Sequence, residues 1–127
     1  MDFTIESRNR LVWVTVTGKI SLENALEIFQ KTFDAAIELG SNLILLDCRA
    51  MTSVLSELER YRLGSLSAEY ALQRSVGSKA PKVTVVGPSP VIDGFAALVA
   101  SNRGVTTETF ADLADAVEWL NHFIRSD

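Results

Sequence analysis

The chain has 127 residues, 47% of them hydrophobic and 22% charged, with a formal net charge of −4. That length fits one domain that can bury about two-thirds of its unfolded surface without disulfide or metal staples, and the composition excludes bulk disorder. The acidic balance argues against nonspecific nucleic-acid binding, and the single cysteine rules out an internal disulfide and fits a reducing compartment.

No stretch approaches the roughly 20 apolar residues of a membrane helix. The opening Met-Asp-Phe-Thr-Ile-Glu lacks the basic flank and apolar run of a signal peptide. A cytoplasmic location is the expectation. Residues 3–6 and 11–17 read as two strands joined by a turn at Ser7-Arg8-Asn9. In the second, Val12, Val14 and Val16 alternate with Trp13, Thr15 and Thr17, the period of a half-buried strand. The short polar connection makes the pair a hairpin, which Gly18 ends.

Ser21 is an N-cap for a helix to about Leu39, closed by Gly40. Leu22, Ala25, Leu26, Phe29, Phe33, Ala36 and Ile37 form its apolar stripe, and Glu27–Lys31 has the favourable i, i+4 order. Next comes Asn42-Leu-Ile-Leu-Leu-Asp-Cys48, an apolar run without alternation that ends on Asp47. Such a run reads as a strand buried on both faces, and its carboxyl end lies on the edge where open α/β sheets place ligands.

Residues 49–55 read as a loop. Ser56 and Glu59 form a capping box that opens a helix toward Val76. There Leu58, Tyr61, Ala68 and Leu72 follow one stripe, Leu63, Leu66 and Tyr70 follow another, and Gly64 interrupts. Gly77 closes this helix. A strand at 82–86, a turn at Gly87-Pro-Ser-Pro90 and a helix at 91–102 with Phe95, Leu98 and Val99 inward come next. A short edge strand at 105–110 then leads to a helix capped by Asp112, carrying Leu113, Ala116, Val117, Leu120, Phe123 and Ile124. The order β-β-α-β-α-β-α-β-α predicts a single α/β domain over 1–127. Its five-stranded sheet is mixed but mainly parallel, with four helices.

Charge is uneven along the chain. From 49 to 82 there are six bases (Arg49, Arg60, Arg62, Arg74, Lys79, Lys82) against three acids (Glu57, Glu59, Glu69), whereas 105–127 holds five acids and one base. Solvated helix faces account for this. The sharper reading is a basic surface around the second helix that meets an acidic partner or anion.

With the segments Val12-Trp-Val-Thr-Val-Thr-Gly18 and Asn42-Leu-Ile-Leu-Leu-Asp47, the succession resembles the STAS-like superfamily. Its members include bacterial anti-sigma-factor antagonists. The closing Thr109-Phe-Ala-Asp-Leu-Ala-Asp-Ala-Val-Glu-Trp-Leu120 is similar to the ending of small stand-alone STAS/SEC14-like bacterial proteins. The resemblance implies a non-enzymatic module that binds another protein, needs no cofactor and forms a homodimer. In the antagonists a serine within an Asp-Ser-Ser-Gly motif, after the strand-end Asp, is phosphorylated by a partner kinase. Here Asp47 matches the Asp, but Cys48-Arg-Ala-Met-Thr-Ser-Val-Leu-Ser56 lacks the motif. Thr52, Ser53 and Ser56 occupy the region, and none is equivalent to the family's serine. The resemblance also extends to the SEC14/CRAL-TRIO lipid carriers, which hold an apolar ligand beneath a helix. Leu63, Leu66 and Tyr70 would line such a site here, although a homodimer contact explains them more simply.

These readings give a partner-binding or regulatory set of Asp47, Arg49, Thr52, Ser53, Ser56, Arg60 and Arg62. Asp47 most simply fixes its turn, and Arg49 pairs with Asp47 or Glu57. Cys48 continues the apolar run as a buried small hydrophobe. The one histidine, His122, sits far along the chain on the rim of the last helix, so a Cys–His dyad is not expected. One histidine and one cysteine do not make a zinc site. The prolines of residues 87–94 remove amides that a phosphate cradle would use. Trp13 and Trp119 read as packing residues.

Overall fold

The computed structural model describes residues 2–74, 81–87 and 94–125. Along them run β1 (Asp2–Arg8), β2 (Leu11–Gly18), α1 (Leu22–Leu39), β3 (Leu43–Met51), α2 (Glu57–Arg74), β4 (Lys82–Val86), α3 (Phe95–Asn102), β5 (Thr107–Phe110) and α4 (Leu113–Arg125). The expected element order is the observed one.

The hairpin turns at Asn9 and Arg10, whose φ values of 52° and 73° are both left-handed. A two-residue hairpin loop of the twist-matching kind needs that at both positions. Arg8 therefore pairs with Leu11 inside the ladder instead of lying in the turn.

The strands lie in the order β1-β2-β3-β4-β5, with β1–β2 antiparallel and every later pair parallel. Each crossover moves one strand across the sheet in the same direction. Right-handed connections of that kind place their helices on one face. On that face Val12, Val14, Ile44 and Leu46 pack with Ile28 and Phe33 of α1, Ala68 and Ala71 of α2 and Ala100 of α3. On the other face Leu11, Leu43, Leu45 and Val86 meet Ala116 and Leu120 of α4. β3 is thus covered on both sides, and residues 43–48 are all buried. Its lack of alternation follows from that position.

Capping sets several boundaries. The Ser21 hydroxyl accepts from Asn24 N at 3.1 Å, and Gly40 closes α1 at φ 70°. The Asp112 carboxylate accepts from Ala114 N at 2.7 Å ahead of α4.

Four further expectations need correction. β3 continues through Arg49 and Ala50 to Met51, which pairs with Gly18, so the expected loop at 49–55 shortens to 52–56. In α2 the core face is Leu63, Gly64, Ser67, Ala68 and Ala71, while Leu58, Tyr61 and Leu72 are exposed. The small residues are there because α2 presses on α3: a Cβ on Gly64 would lie against the Ala96 carbonyl oxygen and 2.9 Å from Val99 Cβ. In α3, Val99 is buried but Leu98 faces out. In α1, Ile37 lies off the buried face of Ala25, Ile28, Thr32, Phe33 and Ala36. The expected start of α3 at 91–93, the helix end at Gly77, residues 88–90 of the expected turn, and Lys79 lie outside the described residues.

Candidate functional site

The alternation of β3 divides the expected site between two faces of the sheet. Leu43 and Leu45 point to α4, Ile44, Leu46 and Cys48 to the other layer, and Asp47 follows the α4 parity. Asp47 is buried, and its carboxylate is held by Arg49, which donates from Nε at 2.8 Å, from Nη2 at 2.8 Å and from the backbone N at 3.2 Å. The Arg49 hydrogen bonds keep this carboxyl below the usual aspartate range, against the opposing effect of burial, and the charge of Arg8 adds to them. Arg8 itself lies over the Trp13 ring at 4.4 Å, and Asp112 adds negative potential at Arg49. The β2–β3 register shifts between Thr15 and Thr17, at the height of this pair.

On the other side of β3's end, the loop is tied to the β2–α1 connection. Thr52 N donates to Gly18 O at 2.9 Å, and Ile20 N donates to the Ser53 hydroxyl at 2.8 Å. Ser53 is therefore engaged and half-buried, while Thr52 and Ser56 are exposed. Ser56 and Glu59 form the expected capping box: Glu59 N donates to Ser56 Oγ at 3.2 Å, and Ser56 N donates to Glu59 Oε1 at 3.0 Å. That backbone bond holds the Glu59 carboxyl below its ordinary value. Arg60 Nη1 donates to Leu55 O at 2.9 Å and so points toward the sheet, whereas Arg62 is exposed.

Three residues here were missed from the sequence. Val54, Leu58 and Tyr61 are exposed, Leu58 to 68%. The last two lie one turn apart on one face of α2, and Tyr61 is held by Arg103, whose Nη2 donates to its hydroxyl at 3.0 Å. For Leu58 and Tyr61 the signal was the first apolar stripe of α2, which reads as the core stripe but turns Leu58, Tyr61 and Leu72 to solvent.

Leu63, Leu66 and Tyr70 are not brought together. Leu63 is buried and Leu66 is exposed. Tyr70 packs on Phe33 with ring centroids 6.5 Å apart, and its hydroxyl donates to Asp34 Oδ1 at 2.7 Å. Leu63 does line an apolar cavity of about 100 Å³ between the sheet and the three-helix layer, together with Val16, Ile28, Leu46, Cys48 and Arg60.

Cys48 faces this cavity and His122 is exposed on α4, so the sheet stands between thiol and imidazole. Burial pushes the Cys48 thiol up to about 12, and the charge of Asp47 adds to the effect. Such a group is a packed thiol and not a nucleophile at neutral pH. Among the described residues, no group of three His, Cys, Asp or Glu side chains could hold a metal, and no helix is long and apolar enough to cross a membrane.

An anti-sigma factor antagonist from Mycobacterium paratuberculosis is similar to the chain at 15% identity, with a TM-score of 0.60 over 94% of this chain and 93% of that one. The unphosphorylated anti-sigma factor antagonist SpoIIAA is similar at 17% identity, with a TM-score of 0.54 over 94% and 98% of the two chains. An uncharacterized protein with a SpoIIAA-like fold from Shewanella loihica PV-4 shares 19% identity and a TM-score of 0.53 over 94% and 92%. At these identities the likeness is one of fold. No curated protein matches at the level of sequence. The SpoIIAA-like family profile matches residues 11–121, and the STAS-like resemblance read from the sequence falls within it. The chain belongs to the SpoIIAA-like family.

Proposed function

We propose that this protein is a non-enzymatic regulatory module of the cytoplasm. It acts by docking another protein on the surface formed by the loop 52–56 and the first turns of α2. The observation that carries this reading is the exposed trio Val54, Leu58 and Tyr61 beside Arg62, at the amino end of a helix. Neighbouring large apolar side chains on a soluble surface, edged by arginine and aromatic groups, are characteristic of protein interfaces. Arg60 supports the loop from behind. Asp47 and Arg49 lie on the opposite face and contribute by fixing the end of β3.

Phosphate regulation belongs to the same proposal, with Thr52 and Ser56 as the accessible hydroxyls. A phosphate at either would add roughly −1.5 to −2 charges beside the docking trio. Ser53 is half-buried and bonded to Ile20, so it is the less accessible of the three hydroxyls. The similar structure of SpoIIAA is that of its unphosphorylated form, which supports this reading. Phosphopeptide mapping after incubation with cell extract reads this directly, and phosphate on neither residue removes the switch.

Photo-crosslinking from positions 58 and 61 in cells, with position 122 on α4 as control, tests the surface. The expected result is a discrete adduct from 58 and 61 that Arg62→Glu weakens. Adducts confined to position 122 would move the contact to the other face.

A second reading is that the chain carries or senses a small apolar molecule, and the cavity favours it. At about 100 Å³ the space is smaller than the roughly 150 Å³ engineered cavity that takes up benzene. A lipid-sized guest would therefore have to part α2 and α3 from the sheet. Native mass spectrometry of freshly purified protein reads this: a retained lipid-sized mass supports the carrier, and a bare chain supports the docking module.

A further inference from the structure

The two edges of the sheet are finished differently. β5 has four residues, and the Ser101 hydroxyl covers it, accepting from Thr107 N at 3.0 Å and donating to Thr107 O at 3.0 Å. Proteins commonly protect an edge in this way, with a short strand and occupied backbone groups. β1, at the other end of the strand order, runs for seven residues, contains no proline, glycine or lysine, and pairs with β2 in unbroken register. A long regular edge of that kind is a template for another strand.

The sequence of β1, Asp-Phe-Thr-Ile-Glu-Ser-Arg, is complementary to itself when reversed. Two antiparallel copies related by a two-fold axis must place some residue opposite its own copy. Centring on Ile5 is the arrangement that pairs all seven residues. It sets Asp2 opposite Arg8 twice, Phe3 opposite Ser7 twice, Thr4 opposite Glu6 twice, and Ile5 opposite itself. Centring on Thr4 sets Asp2 against Glu6, and centring on Glu6 sets two glutamates face to face. Like charges directly opposite are destabilising in a sheet.

We propose that β1 pairs antiparallel with β1 of a second copy of this chain, centred on Ile5, joining the two sheets into one of ten strands. Asp2 and Arg8 are both exposed and share the sheet face with Thr4 and Glu6, where Arg8 already meets Glu6 at 3.1 Å. Each Arg8 would then lie between Glu6 of its own chain and Asp2 of the other. Phe3 and Ile5, half-buried on the α1 side, would gain cover from Ser7, Ile5 and Phe3 of the second copy. One pair of seven-residue strands buries less than the roughly 1,600 Å² of a standard interface, so the association is reversible and depends on concentration. The proposal is independent of the docking surface, which contains no part of β1.

Sedimentation equilibrium combined with amide hydrogen exchange tests it. The wild-type chain should dimerise as its concentration rises, with exchange protection appearing in β1. Asp2→Arg should weaken dimerisation by roughly tenfold, because two facing pairs become like-charged. Arg8→Asp should act alike, and the double variant Asp2→Arg/Arg8→Asp should return to within about threefold of wild type. A chain that stays monomeric to about 1 mM, or a dimer whose β1 amides gain no protection, overturns the proposal. A dimer protected at β1 that the charge swap does not rescue overturns the Ile5-centred register. Exchange is read on the wild-type chain, so this part does not depend on whether the variants fold.

Discussion

Asp47 and Cys48 are neighbours whose side chains enter opposite layers, and each is governed by what it meets there. Asp47 gains Arg49, and its folded pKa is lowered. A depressed carboxyl pKa contributes stability above the unfolded value and loses it as pH falls through the folded value. Asp47→Asn should therefore cost about 1 kcal/mol near neutrality. That cost should fade below pH 3.8, the ordinary aspartate value, as measured by urea denaturation of both proteins across the acid range. Cys48 is buried beside a mainly apolar cavity, and its labelling by a thiol reagent at pH 8 should track unfolding; rapid labelling of the native chain would contradict that burial. At Gly64 a methyl group would gain about 1 kcal/mol of helix propensity but would press on backbone oxygen, at an overpacking cost of up to about 3 kcal/mol. Gly64→Ala should lower the thermal midpoint. Of these, the burial of residues 43–48 and of the thiol was legible in the sequence. The Asp47–Arg49 pairing was one of two anticipated, and the contact across Gly64 needed a neighbour 32 positions away.

Among the elements, those with a strong single periodicity were legible, and α2 was not. In β2, α1 and α4 the large apolar residues turn inward, with two departures at Ile37 and Leu39 of α1. In α2 the order inverts, because a helix pressed against a neighbour must carry glycine, serine and alanine at the contact. Hydropathy then points to the larger residues on the outside. A pair of substitutions separates the two assignments. Leu63→Ala should cost about 2–4 kcal/mol, whereas Leu58→Ser should change stability by less than about 0.5 kcal/mol while weakening crosslinked-partner recovery. Equal losses at both positions would restore the first assignment. The end of β3 was hidden for another reason: Arg49 and Ala50 look like loop residues, yet they remain in the ladder because β2 continues alongside to Gly18. The Ser56–Glu59 box, being purely local chemistry, was legible as written, and Ser56→Ala should cost about 1 kcal/mol, read by chemical denaturation.

At the scale of the whole molecule, strand order repeats chain order without exception, and this could not be read from periodicity because propensity says nothing about which strands adjoin. The helix layers follow from it, with α1, α2 and α3 on one side and α4 alone on the other. On a ribosome, each newly made strand would find its sheet neighbour already synthesised. The three-helix layer can thus close progressively during translation. The opposite side cannot, since Leu11, Leu43, Leu45 and Val86 stay uncovered until the 13 residues of α4 emerge. A nascent chain stalled before Leu113 would display that greasy strip to chaperones, and release of the last helix would withdraw it.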